Sequence, residues 1–166
     1  MHKRMLIVWL KDAHAMEARS LPVLRRQATD SRHSVRTRLR LESHLRETER
    51  HAERVGQALR TLGSAPSTVP SSSEAVVVLA KDITARVFSD PLVKSVIAGL
   101  AAEQFEVAAY TALIAAAEHA GEAEVARLCR LNRGEDEDMA EWLDAQIPIV
   151  IAETLNSPQQ RILQQR

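Results

Sequence analysis

Cysteine occurs once, at Cys129, so no disulfide can close within this chain and a cysteine-rich zinc site is excluded. Aromatic residues are scarce, at 3%, and there are only five glycines. Alanine and leucine dominate an apolar fraction of 45%, a balance that favours helix over sheet. Neither sign of charge is in excess: Lys+Arg and Asp+Glu are 22 each. A net charge of zero gives no electrostatic reason to expect a nucleic-acid or membrane partner. No stretch approaches the roughly 20 apolar residues needed to span a bilayer. The apolar run Met5–Leu10 is ended by Lys11 and Asp12, too soon for a secretory signal, so the expected address is the cytoplasm. At 166 residues the chain is long enough to bury a core and is expected to form one domain.

Four long helical patterns are present. The first is expected over about residues 5–28, with Pro22 kinking or dividing it. A short polar link, 29–34, leads to the second, about 35–62, with Gly63 placed as its C-terminal cap. Residues 64–73 are rich in Ser and Pro and read as loop, and a shorter helix is expected over about 74–88. Asp90-Pro91 is a helix start signal, with Asp as N-cap and Pro in the first helical position. The third helix then runs to about 120, Gly121 breaks it, and the fourth covers about 122–143. Pro148 is expected to bend or end any helix beyond that point, and 159–166 reads as a loose tail. Two helical hairpins with tight turns, joined by one long crossover, make the ferritin-like arrangement of an all-α antiparallel four-helix bundle. Arginines crowd 25–54 and acids 135–141, which reads as solvated helix faces pairing with one another.

The chemistry lies in acids that interrupt the apolar stripes. In the first helix Leu10, Ala13, Leu21 and Leu24 form a stripe, and Glu17 falls on it. In the second, Val35 and Leu39 begin a stripe that Val55, Leu59 and Leu62 continue; Glu47 and His51 lie between them, with His44 three residues earlier. The third carries Val96, Leu100, Val107, Tyr110 and Ile114, with Glu103 on that face and Glu106 beside it. The fourth has Val125, Leu128, Met139, Trp142 and Leu143 inside; Glu135 fits that face best, with Asp138 three residues on and Asp136 adjacent. One buried, unpaired carboxylate costs several kcal/mol, and four would threaten a fold stable by only about 5–15 kcal/mol. Divalent cations resolve this, because oxygen ligands with imidazole suit iron, manganese or zinc. A two-metal bundle takes a Glu from each of two helices and a Glu-plus-His motif from each of the others. The candidate ligands are Glu17, His44, Glu47, His51, Glu103, Glu106, Glu135 and Asp138; which histidine, and which of Glu135, Asp136 and Asp138, the pattern leaves open. His14, His33 and His119 read as surface or turn residues, Cys129 as an inert core residue, and Trp9 and Trp142 as packing.

At these residues the chain resembles a known family. Lys11-Asp12-Ala13 through Glu17, His44-Leu45-Arg46-Glu47-Thr48, and Glu103 through Tyr110 look like the bacterial stress-associated ferritin-like family, whose function is poorly defined. Glu135–Leu143 is similar to that family's last bundle helix, and the Glu-x-x-Glu-x-x-x-Tyr element also looks like the third bundle helix of rubrerythrin. The resemblance covers about residues 6–155. It implies a four-helix fold, frequent homodimers and a di-iron or di-manganese centre, and points to Glu17, Glu47, Glu103 and Glu106. The fourth helix has no histidine where rubrerythrin-like sites place one, and Gly134 precedes Glu135. The usable second-helix pairs are His44 with Glu47 and Glu47 with His51.

Two functions are expected from these residues together with what the resemblance implies about a stress role. The first is a two-metal protein, iron foremost, that oxidises Fe(II) or removes peroxide, taking O₂ or peroxide at an open coordination position. The second is a non-enzymatic stress-response bundle with a degenerate metal site, acting through protein contacts at the crossover helix or at Ile7 and Trp9. A ferritin storage shell is less well matched, because nothing marks the extra helix and symmetric interfaces of a cage.

Overall fold

The computed structural model describes residues 2–30, 32–66 and 90–156, and among them four helices form an all-α bundle. They are α1 (His2–Ala28), α2 (Val35–Thr61), α3 (Pro91–His119) and α4 (Ala123–Leu155). The helix expected over 74–88 and the tail 159–166 lie outside the described residues. No helix among the described residues is long and apolar enough to cross a membrane.

The helix ends follow local chemistry. Ser34 caps α2 by accepting a hydrogen bond from the Thr37 amide. Asp90 caps α3 through the amides of Leu92 and Val93, with Pro91 in the first turn, as the sequence predicts. Gly63 and Gly121 follow α2 and α3 at φ of 74° and 73°, a left-handed conformation that costs glycine nothing. The next amides, of Ser64 and Glu122, return to Leu59 and Ala117, so both helices close in the same motif.

Neither internal proline breaks its helix. Pro22 sits inside α1, and α4 runs through Pro148 to Leu155, well past the expected end near 143. Both prolines are exposed, as are Ala18 and Asp144 four residues earlier, so water can solvate each freed carbonyl.

α1 pairs with α2 and α3 with α4 as antiparallel hairpins. α1 also runs antiparallel to α3: Gln27 bonds to Ser95 at one end, and the rings of His2 and His119 meet at the other. The end of α2 and the start of α3 therefore lie at opposite ends of the bundle, as a long crossover between two hairpins requires.

The core is layered along the bundle axis. One apolar cluster joins Leu6, Leu10, Val55, Leu59, Leu113 and Val125 with their neighbours. A smaller one joins Leu24, Ala28, Leu41, Val96, Met139 and Leu143. Between them lies a buried polar band: Glu17, His44, Thr48, His51, Glu103, Glu106, Asn132 and Asp136. Each helix contributes in the same order, apolar, polar, apolar.

One stripe differs from expectation. Val35 and Leu39 are 64% and 59% exposed, and the inner face of α2 starts instead at Leu41. Ile7 is half-buried against the larger cluster, whereas Trp9 is 43% exposed rather than packed.

Candidate metal centre

The polar band follows from helical register. On α4 the inward positions run Val125, Cys129, Asn132, Asp136, Met139 and Leu143, spaced by fours and threes, and all are buried. On α2 they run Leu41, His44, Thr48, His51, Val55 and Leu59. On α1 and α3 the same spacing carries Glu17, Glu103, Glu106 and Tyr110 inward. Burial so complete is uncommon for Glu and Asp unless something pairs with them.

Five of the eight sequence candidates meet in the band: Glu17, His44, His51, Glu103 and Glu106, each 5% exposed or less. Glu103, Glu106 and Asp136 bring one carboxylate oxygen each within 4.8 Å of one another. His51 Nδ1 stands 3.6 Å from Glu17 Oε2 and 3.4 Å from Asp136 Oδ1. His44 bridges the other side, with Nε2 at 3.1 Å from Glu103 Oε1 and Nδ1 at 3.2 Å from Glu47 Oε2.

The remaining three candidates sit differently. Glu47 lies at the edge of the band, where Arg40 donates to it at 3.0 Å. Glu135 lies behind His51: it accepts from His51 Nε2 at 2.7 Å and takes both guanidinium nitrogens of Arg54 at 2.7 and 3.1 Å. Asp138 is exposed, on the solvent side of α4. Glu47, Glu135 and Asp138 each fall one residue before an inward position, Thr48, Asp136 and Met139 respectively, so helix geometry turns all three away from the axis. Asp136, adjacent to the favoured Glu135, is the fully buried α4 acid. Its signal in the sequence is the spacing of four from Asn132 and three to Met139. Tyr110 and Asn132 complete the surroundings: the Tyr110 hydroxyl donates to Glu17 Oε1, and Asn132 Nδ2 donates to the Tyr110 oxygen at 2.8 Å.

Ionisation follows from this packing. Burial, with the nearby charges of Glu106, Glu17 and Glu103, pushes the Asp136 carboxyl up to about 11. Burial, with Glu17 and Glu103, likewise holds Glu106 well above the carboxylate range, although Ser20 Oγ donates to it at 3.1 Å. Burial also raises the Tyr110 hydroxyl, aided by the charge of Glu17. For His44, burial opposes the charged ring, but hydrogen bonds to Glu103 and Glu47 outweigh it and hold the group up at about 9. Burial likewise works against the Glu47 charge, yet His44 and Arg40 bring it down to about 2. Glu135 is lowered in the same way, with Arg54 and His51 overcoming burial.

Several buried atoms in the band have no hydrogen-bond partner among the described residues: Glu17 Oε2, His51 Nδ1, Glu103 Oε2 and both oxygens of Asp136. Leaving one such atom unpaired costs about 1–3 kcal/mol, and more for a charged group. With Nε2–H donated to Glu135, the lone pair of a neutral His51 ring lies on Nδ1, directed toward Glu17 and Asp136. Lone pairs aimed at common ground, from hard oxygens and an imidazole, form a donor set that fits divalent iron, manganese or zinc.

Residues 2–156 match the model of a family described as a domain of unknown function (DUF892). The structure is similar to that of a protein from Xanthomonas campestris pv. campestris, with 28% identity and a TM-score of 0.80 over 96% of this chain and 99% of that one. It is also similar to YcfI from Rhodopseudomonas palustris, with 29% identity and a TM-score of 0.71 over 87% and 93% of the two chains.

Proposed function

We propose that this chain, which belongs to the family described as a domain of unknown function (DUF892), is a two-metal carboxylate protein of the ferritin-like kind, with iron as its first metal. The observation that carries this reading is the set of unpartnered buried donor atoms on Glu17, His51, Glu103 and Asp136. Glu17, His51 and Asp136 would serve one ion, and Glu103, Glu106 and Asp136 the other. Bound iron would supply one-electron redox chemistry toward O₂ or peroxide, and the reaction proposed is Fe(II) oxidation or peroxide removal. The chain's own part is to hold charge and protons. Glu106 and Asp136 release protons as cations enter, and His44 stays paired between Glu103 and Glu47.

Metal analysis after anaerobic loading with Fe(II) tests this. About two ions per chain are expected, lost in Asp136→Asn and Glu103→Ala. Failure of the wild-type chain to retain Fe(II), Mn(II) or Zn(II) would sink the reading.

The second reading is a non-enzymatic stress-response bundle with a degenerate site, and His44 favours it, because that ring already satisfies carboxylates on two helices. Such a protein would act through its surface. On α3 the only charged residues between Ser95 and Ala117 are Glu103 and Glu106, both buried, while Ala101, Phe105, Ala108 and Ala112 face outward. A homodimer formed across that uncharged face is the partner proposed here. Sedimentation should give a dimer that Ala108→Glu converts to monomer; an unaltered dimer would place the interface elsewhere.

A further inference from the structure

The smaller apolar end of the core is not filled. A cavity of about 30 Å³ lies there, walled by all four helices. Its floor is the Glu103 carboxylate, 5% exposed, with Oε2 unpartnered. Its walls include Leu24, Leu41, Val96, Met139 and Leu143, together with the backbone of Gly99. A Cβ added at Gly99 would come within 3.3 Å of Leu143 Cδ1, so a side chain at 99 would crowd this space. Polar groups other than Glu103 gather at the mouth, where Gln27 Nε2 donates to Ser95 Oγ at 3.2 Å beside His33 and Thr37. A larger cleft of about 300 Å³ between α3 and α4 is open to solvent and edged by the exposed acids Glu137, Glu141 and Asp144. It lacks any buried polar floor.

The size and chemistry of the inner cavity select its occupant. A buried water needs two to four polar partners and about 10–15 Å³ of such space. The volume suffices, but the polar lining groups lie at its two ends, Glu103 at one and Gln27, His33, Thr37 and Ser95 at the mouth, so a water between them would meet mainly leucine, valine and methionine. Peroxide would leave donors and acceptors unpaired against leucine and valine, and a hydrated cation would be larger still. An uncharged apolar diatomic loses nothing there. We propose that this cavity admits dioxygen from the α1–α2 turn end of the bundle to the Glu103 edge of the centre. Occupation belongs to the cavity alone; use of the oxygen for Fe(II) oxidation rests on the metal reading above.

Dissolved O₂ is paramagnetic and can be its own probe. In the metal-free full chain under O₂ pressure, methyl relaxation at Leu24, Leu41, Val96 and Leu143 should rise several-fold above that of Leu6, Leu10 and Leu59 in the other cluster. Gly99→Val, or Val96→Phe if the first variant folds poorly, should remove that difference. Equal relaxation at both ends, or a difference that survives filling, would overturn the proposal. In Fe(II)-loaded protein the filled variants should slow oxidation by O₂ several-fold and leave oxidation by peroxide unchanged. Cavity relaxation without Fe(II) binding would uphold the gas site and defeat the metal reading. Fe(II) binding without cavity relaxation would do the reverse.

Discussion

His51 donates its Nε2–H to Glu135 across 2.7 Å, and this contact decides which ring nitrogen faces the core. Glu135 is in turn clamped by Arg54, so the ring is held by a carboxylate that does not itself enter the band. Orienting partners of this kind are worth about 10–100-fold in metal affinity. Glu135→Ala should weaken binding by that factor in chelator competition without changing the number of ions bound. Glu135→Gln, whose amide oxygen can still accept the bond, should recover most of the loss. A ligand role for Glu135 would instead make both variants equally poor.

Asp136 and Asp138 should separate cleanly. Asp138→Asn alters an exposed side chain and should move stability by no more than about 0.5 kcal/mol, with metal content unchanged. Asp136→Asn removes a fully buried carboxyl that burial among other carboxyls holds protonated, and with it the cost of keeping that proton when the unfolded chain would lose it. It should abolish metal retention and stabilise the metal-free fold by about 1–4 kcal/mol in urea titration.

Stability of the metal-free chain should fall as pH rises between about 5 and 9. Asp136 and Glu106 have folded pKa values raised above their ordinary ones, so their contribution is full in acid and declines as unfolded carboxyls ionise first. His44, raised to about 9, has the same sign: its contribution is full below 6.5 and is lost as pH passes 9. Glu47 and Glu135 have lowered values and the opposite sign, but their window lies below about pH 4.5. Each proton by which the folded state exceeds the unfolded one costs about 1.4 kcal/mol per pH unit. Thermal melts of the metal-free chain should therefore show a falling midpoint, and saturating metal should flatten the profile. A midpoint rising over pH 5–9 would contradict the protonation described for the band.

Tyr110→Phe keeps the buried ring but removes a hydroxyl that donates to Glu17 and accepts from Asn132. The metal-free fold should lose about 1–3 kcal/mol, measured by chemical denaturation. Metal should still bind, because Glu17 keeps both oxygens.

Much of the fold is legible in the sequence, for reasons that also explain the misses. Gly63, Gly121, Asp90 and Pro91 set helix ends by local chemistry, and the structure keeps those ends. Register is harder to read. Val35 and Leu39 are apolar but exposed, and extending their stripe carries Glu47 inward in place of His44 and Thr48. On α4 a run of four acids blurs the choice, and only the three-and-four spacing through Asn132 and Met139 separates Asp136 from Glu135. Sequence pattern also underestimates the length of α4, since exposed Pro148 does not stop a helix whose freed carbonyl meets water.

The two apolar clusters on either side of the polar band differ in size, and in the band between them several buried carboxylate oxygens have no hydrogen-bond partner among the described residues. Amide protons near the smaller cluster, around Leu41, Val96 and Met139, should exchange through openings that leave the Leu10, Leu59 and Val125 end closed. Ions that tie all four helices at mid-height would merge these two exchange regimes into one. Retarded exchange, spread evenly along the helices, would then mark occupancy even where no turnover is seen.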